Sequence, residues 1–487
     1  MTLFLLGIVL LVVGYYTYGR VVEKILGPDN RETPAIACRD GVDYIVLPHW
    51  KNMLIQLLNI AGVGPVIGVI LGIKFGPIVF LLIPIGNILG GAVHDFVSGM
   101  ISMRNQGCNL PKQIQMTLGK TYYAFMTVFL CVILLLVVTV FINVPANLLV
   151  KLMPDANPSM LWGFIGLIFL YYILATLFPV DKIIGKIYPL FGAMLLIGTA
   201  LLGGSLVWSY FQPGAVNFLS MTEEMKAIVP AQGPIVPCLF VTIACGILSG
   251  FHATQSPIVA RTIISEHKAK AVFYGMMVLE GVIAMIWAAG GMAIYHLFPE
   301  TLAMDPNTVL IRISEYFLGK NVGILAVVAV IVLAITTGDT ALRSLRMSLA
   351  EVLHIGQTSL FSRLALCFPV ILVLVGLLVW SNRDADSFKV LWNYFAWGNQ
   401  VLAASTLWGC TVWLISQRKA FWITLFPALF MTFVVLSFIF WAPGGLKLPQ
   451  GLNIPLIPAY ALAGTVSLLM AIWAIWRGRK MLKKEQE

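Results

Sequence analysis

The sequence predicts an all-α, polytopic membrane protein, and three observations carry that prediction. Of its 487 residues, 59% are hydrophobic. Only 11% are Asp, Glu, Lys or Arg, where an ordinary soluble protein carries roughly a quarter. The apolar residues come in runs of about 20 and do not alternate at every second position. So few charges cannot cover a water-exposed surface, which excludes a soluble enzyme. The apolar content excludes disorder, and the run length argues against a β-barrel. The net charge of +10 therefore concerns the side of a membrane and not a nucleic acid.

Thirteen apolar spans follow in order, at roughly 2–19, 52–73, 77–103, 121–148, 160–178, 186–209, 234–262, 271–296, 321–342, 362–380, 390–415, 421–441 and 456–476. The first is expected to be a retained helix. It has no basic leader, and no small-residue cleavage site follows Tyr15-Tyr16-Thr17-Tyr18. Lys and Arg test the count. Arg20, Arg31, Arg39, Arg104, Lys182, Arg261, Arg343, Arg346, Arg363, Arg418 and Lys419 fall in alternate loops, whereas the intervening loops hold few, such as Lys74, Lys151, Lys226 and Lys447. The bias is about three to one and predicts the N-terminus outside and the C-terminus inside, in a bacterial inner membrane. Trp473 and Trp476 precede a basic tail, 477–487, where an interfacial belt is expected. The seven cysteines form no CxxC pair and read as small buried residues, with no metal site and no disulfide framework.

Two spans are interrupted. The second contains Gly62-Val63-Gly64-Pro65, where poor helix formers and a missing backbone donor predict unwinding. The seventh contains Ser249-Gly250-Phe251-His252-Ala253-Thr254-Gln255-Ser256-Pro257, the most polar intramembrane run in the chain. A kink patched by Ser and Thr is the plain alternative for either alone. Unwound backbone at membrane depth is tolerated where it lines a cavity or is buried in protein. The interruptions lie five spans apart and, by the charge count, run in opposite directions. That predicts a five-plus-five inverted repeat, 52–209 and 234–415, with 1–19 and 421–476 as additions.

Ionisable groups inside spans mark function by default, because an ionised carboxyl in hydrocarbon costs several kcal/mol. Asp95 follows His94. Glu280, in Val278-Leu279-Glu280-Gly281, has no neighbour in sequence to pair with. Asp339, in Thr336-Thr337-Gly338-Asp339, precedes Arg343 by one turn, so a simple i,i+4 pair is its alternative reading. His252 is equally a ligand contact, a proton relay or a satisfied core histidine.

These segments resemble the carbon starvation protein (CstA) family of bacterial inner-membrane transporters. Thr33-Pro34-Ala35 with Asp40-Gly41-Val42-Asp43-Tyr44 is similar to the family's loop after the first helix. Ile60-Ala61-Gly62-Val63-Gly64-Pro65 is similar to its glycine-rich break, and Leu89-Gly90-Gly91-Ala92-Val93-His94-Asp95 follows. The run from Phe240 to Ala253 is the most specific block. Asp339 with Arg343 and Arg346, then Gly398-Asn399-Gln400-Val401, complete the set. The resemblance implies a secondary transporter with a LeuT-like inverted-repeat core. It also implies uptake of peptides or pyruvate during carbon starvation, coupled to protons. The chain departs from the best-known members by being shorter, with fewer membrane segments before the Asp339 block and a shorter C-terminal part.

The expected solute site lies between the two breaks, at Gly62, Gly64, Ser249, Gly250, His252, Thr254, Gln255 and Ser256. Half-helix ends there carry partial charge suited to a peptide or small carboxylate. Glu280, Asp339 or Asp95 would carry the proton. Alternatively Thr336 and Thr337 meet the carbonyls of Gly62 and Gly64 to hold Na⁺, in a sodium-coupled carrier of amino-acid type. No organic cofactor is expected. The partners expected are lipid, solute and possible further copies of the chain. A rival reading, an intramembrane aspartyl enzyme using Asp95 and Asp339, lacks the glycine-x-glycine-aspartate pattern, because Thr336 holds its first position. A channel would need a ring-forming filter that the sequence does not show.

Overall fold

The structure is a computed structural model that describes residues 1–153, 157–177, 184–213, 215–357, 359–443 and 451–484. Lys182 and Lys447 of the charge pattern lie outside the described residues. The described chain is helical throughout, with no strand. Ten helices are long and apolar enough to cross a membrane, or up to twelve if each of two bent pairs is one span. Each of the thirteen apolar segments read from the sequence coincides with a helix or a broken helix.

In chain order these are α1 (Thr2–Leu26), α2a (His49–Ile60) and α2b (Gly64–Phe75), α3 (Val79–Arg104), α4 (Lys120–Lys151), α5 (Pro158–Leu177) and α6 (Ile184–Tyr210). Next come α7a (235–247), α7b (His252–Ala260), α8 (Glu266–Leu297), α9 (Pro306–Val352) and α10 (Leu360–Ser381). The chain ends in α11 (Ala385–Ser416), α12 (Trp422–Trp441) and α13 (Leu456–Lys484). Helix α9 is longer than the expected span because it carries an extra segment before a kink at Gly319, whose φ of 72° suits a residue without Cβ.

Both interruptions are real. Helices α2a and α2b meet at 56° across Ala61–Val63. Between α7a and α7b, Leu248 is fully extended (φ −167°, ψ 116°), and helix resumes at His252. The second break is therefore shorter than the polar run suggested. Thr254, Gln255, Ser256 and Pro257 lie inside α7b and not in unwound chain.

Residues expected on one side of the membrane touch one another at one end of the bundle. Arg104 pairs with Glu266 at 2.8 Å. Lys419 Nζ donates to the Ile25 and Leu26 carbonyls at the end of α1, each at 2.9 Å. Arg261 donates to the Gly107 carbonyl at 2.8 Å, and Arg477 to the Thr117 carbonyl. Residues expected on the other side group likewise. Lys74 donates to the Leu302 carbonyl at 2.9 Å, and Lys151 pairs with Asp305 at 2.6 Å.

Candidate solute and coupling site

The two broken helices cross at close range because small residues line the crossing. A Cβ on Gly64 would lie 2.3 Å from both Cβ and Sγ of Cys245, and one on Gly68 would lie 2.7 Å from the Thr242 carbonyl. This is the small-residue packing that lets membrane helices approach without a hydrophobic driving force. The gaps face a shared cavity. Gly62, Gly64 and Pro65 line it from the first break, Cys245, Ser249 and Phe251 from the second, and Phe141, Phe395 and Asn399 from α4 and α11. It encloses about 10 Å³, room for about one water molecule.

Asn399 holds the second break together. Its Oδ1 accepts from the Phe251 backbone N–H at 2.6 Å, and its Nδ2 donates to Ser249 Oγ at 2.7 Å. One amide thus serves groups that the missing helical turn leaves without partners. Gly250 faces away from the cavity. Its missing Cβ would lie 2.2 Å from the Ala403 nitrogen of α11, so glycine is there for close approach to that helix. Thr254, Gln255 and Ser256 do not line the cavity either. Thr254 Oγ1 donates to the Phe251 carbonyl at 2.7 Å, Ser256 Oγ to the His252 carbonyl at 3.1 Å, and Gln255 Nε2 to Thr254 Oγ1 at 2.8 Å. In sequence they read as ligands, but in the helix their donors are used locally.

Behind the second break lies a buried acid–histidine chain. Asp95 accepts His94 Nδ1 at 2.8 Å and is 3.0 Å from His252 Nδ1. On the other edge of the ring, His252 Nε2 stands 3.7 Å from Glu280 Oε2. All four side chains are buried, Glu280 completely, and neither Glu280 oxygen has a hydrogen-bond partner among the described residues. The sequence-predicted His252, Asp95 and Glu280 thus form one network. Asp339 is elsewhere. Tyr171 donates to its Oδ2 at 2.7 Å and Tyr188 to its Oδ1 at 3.2 Å. The ion pair of Arg343 runs to Asp43 at 3.3 Å, and Arg346 reaches the same carboxylate at 3.5 Å.

Thr336 and Thr337 reach the first broken helix, where the Thr337 methyl packs on Gly62 but the hydroxyls point to Leu58 and not to the glycine carbonyls. Thr337 Oγ1 donates to the Leu58 carbonyl at 2.9 Å, and Thr336 Oγ1 lies 3.5 Å from it. Leu58 sits in the last turn of α2a, where carbonyls lose their helical partners. The break itself starts too late for the glycine carbonyls to meet these hydroxyls. No group of three or more His, Cys, Asp or Glu suited to a metal occurs among the described residues.

The profile of the family described as carbon starvation protein CstA matches residues 1–176, 162–298 and 300–438. The chain belongs to that family. An uncharacterized membrane protein of Haemophilus influenzae is 40% identical over 340 residues, 60% of this chain and 91% of the relative. A peptide transporter CstA of Campylobacter jejuni is 28% identical over 335 residues, 56% of this chain and 47% of the relative. The pyruvate/proton symporter BtsT of Escherichia coli is 26% identical over 325 residues, 55% of this chain and 45% of the relative. The match thus spans about half the length of these named transporters. Among solved structures, the Eremococcus coleocola manganese transporter covers 91% of this chain and 99% of its own at a TM-score of 0.55 and 14% identity. MhsT in complex with L-phenylalanine covers 88% of this chain and 99% of its own at 0.55 and 13%. At that identity the likeness shows the fold, the LeuT type. This CstA-family chain is a multi-pass membrane protein, and its named relatives are transporters.

Sequence reasoning missed two features of the CstA-family site. Asn399 stood in a recognised block, but nothing local marked it as the clasp of a break about 150 residues away. Tyr171 and Tyr188 sit in apolar runs, where tyrosine reads as ordinary span composition.

Proposed function

We propose that this CstA-family protein is a secondary active transporter. It imports short peptides or a small carboxylate such as pyruvate across the bacterial inner membrane together with protons that enter down their gradient. One observation carries the reading. The cavity shared by the two breaks adjoins, through Ser249, Cys245 and His252, a completely buried carboxyl that has no hydrogen-bond partner among the described residues. The breaks supply backbone polar groups for the solute, as discontinuous helices do in inverted-repeat carriers. Glu280 supplies the proton site, and His252 links it to Asp95. The names and fold of the relatives support this class. So do the two breaks five segments apart, which fit groups of five helices at 52–209 and 234–415. The clustering of basic residues at one end supports the N-terminus outside and the C-terminus inside.

A second reading has its own observation. Two threonine hydroxyls and the Leu58 carbonyl converge at the end of α2a, an all-oxygen set suited to a sodium ion. Counterflow in proteoliposomes tests the class. Labelled pyruvate or dialanine should exchange and overshoot, and an imposed proton gradient should drive net uptake. Uptake that follows a sodium gradient and ignores a proton gradient would favour the second reading.

A further inference from the structure

Helix α2a carries three amides at i, i+4 and i+7: Asn52, Gln56 and Asn59. That spacing puts them on one face of the helix. All three are buried, Gln56 and Asn59 completely. Burying amides in a membrane protein is costly unless each polar atom has a partner. Asn52 has them. Its Nδ2 donates to the Leu47 and Thr262 carbonyls at 3.2 and 3.1 Å, and its Oδ1 accepts from Thr262 Oγ1 at 2.7 Å. Those contacts fix which way the stripe faces: toward the segment that leaves α7b. Gln56 and Asn59 lack partners. Neither the nitrogen nor the oxygen of either side chain is bonded to any described protein group.

The stripe leads somewhere. Asn59 is followed by Ile60, whose backbone faces the His252 ring, and that ring is 3.7 Å from Glu280 Oε2. Glu280 contributes two more unbonded oxygens, and Gln255 Oε1 in α7b is a further one. Unpartnered polar atoms therefore continue from Gln56, one turn beyond Asn52, to the buried acid. Buried polar groups without protein partners mark bound water or an ion. Amides both donate and accept, so they can hold water of either orientation and select no charge.

We propose that the seam between α2a and α7b, lined by Gln56 and Asn59, binds a file of water that connects Glu280 to the aqueous side at the His49 end. This rests on the reading of Glu280 as the proton site and adds the route by which that proton leaves. The step from Asn52 to Asn59 is about 10 Å at 1.5 Å per residue, a span that a few waters cover. The Glu280 O–H bond breaks as a water takes the proton. Each water then passes one on, forming one O–H bond for each broken, and hydronium emerges at the end. The titratable groups facing Glu280 are His252 and Asp95 on one side and Cys245 of α7a on the other. His49 and Lys51 stand at the mouth of the seam.

The test needs no known solute. In the purified full-length protein in bilayers, infrared spectra between about pH 5 and 9 should show a protonated-carboxyl band that Glu280→Gln removes. On transfer to D2O that band should shift promptly in the wild type, and at least ~10-fold more slowly in Gln56→Leu/Asn59→Leu. If Glu280→Gln removes no band, both the proton site and the seam fail. If the band is present and the Leu variant exchanges at the wild-type rate, the seam alone is overturned. Should that variant not fold, hydroxyl-radical labelling of the wild type decides. Labelling of 55–60 well above that of the equally buried 137–144 of α4 supports the water file, and equal labelling overturns it.

Discussion

Glu280 and Asp339 are both carboxyls sealed inside a bundle of apolar helices, and the protein treats them in opposite ways. Asp339 has a phenol hydroxyl on each oxygen, from Tyr171 and Tyr188. Among the described residues Glu280 has none, only an imidazole edge 3.7 Å away. A carboxyl capped by two fixed donors is anchored, and it anchors α9 to α5 and α6 in turn. An uncapped one beside a histidine can gain or lose a proton without breaking bonds that hold the fold. Asp95 lies between these cases, with one histidine on each oxygen. Three intramembrane acids that look alike in sequence thus divide into an anchor, a clasp and a free acid.

The largest expected effect falls on the free acid. Glu280→Gln keeps the shape and removes the proton, and should cut uptake driven by a proton gradient by about 10³-fold, the scale of a lost proton-transfer group. Asp339→Asn measured in the same vesicles should retain far more. Equal losses would break the contrast.

A fourth acid sharpens it from outside the spans. Asp43 lies in the segment between α1 and α2a, nearly buried against Arg343 and Arg346. Burial pushes its carboxyl up, but Arg346, Arg343 and Arg261 together hold it below its ordinary value. Here anchoring is ionic. Asp43→Asn leaves two buried guanidiniums facing each other and should lower unfolding stability by about 3 kcal/mol, read by thermal melts in nanodiscs. An acid with a depressed pKa stabilises above its ordinary value, and that stability is lost as pH falls through the lowered one. Wild-type melts should therefore hold steady from neutral pH down to roughly pH 4 and drop below it, whereas the Asn variant should show a smaller drop.

For Asp339 the comparison predicts a stability effect more than a coupling effect. Asp339→Ala removes the acceptor of two phenols, Tyr188 buried and Tyr171 half-buried, and should cost about 2 kcal/mol in the same melts. Tyr188→Phe removes only the longer of the two bonds, together with one to the Thr336 carbonyl at 2.9 Å, and should cost about 1 kcal/mol. A Tyr188→Phe effect larger than that of Asp339→Ala would mean that the phenol serves the backbone more than the acid.

Much of this was legible in the sequence, for identifiable reasons. Glycine and proline inside an apolar run leave backbone groups that lipid cannot satisfy, so both breaks could be read directly. Ionisable residues in such runs are equally visible, which is why Asp95, His252 and Glu280 could be named before they were seen together. Basic residues sorted to one end because the charge bias reflects the same membrane. What could not be read is who partners whom. Tyr171 and Tyr188 are 168 and 151 positions from Asp339, and Asn399 is 148 from Phe251. Thr254 and Ser256 misled because hydroxyls bonded to their own helix and hydroxyls awaiting a ligand look the same in sequence. Thr336 and Thr337 do lie against the first broken helix, with their hydroxyls on the Leu58 carbonyl and not on those of Gly62 and Gly64. Their carbonyl partner was misplaced because the helix runs on to Ile60 before it unwinds.

The account turns on two interrupted helices sharing one solute. A cryo-EM map of the protein in nanodiscs with a transported peptide or carboxylate tests that directly. Density should lie between Gly62–Pro65 and Ser249–Phe251, touching both stretches of backbone and bordered by Asn399. Solute density confined to another part of the bundle, with this crossing closed and unchanged, would contradict it.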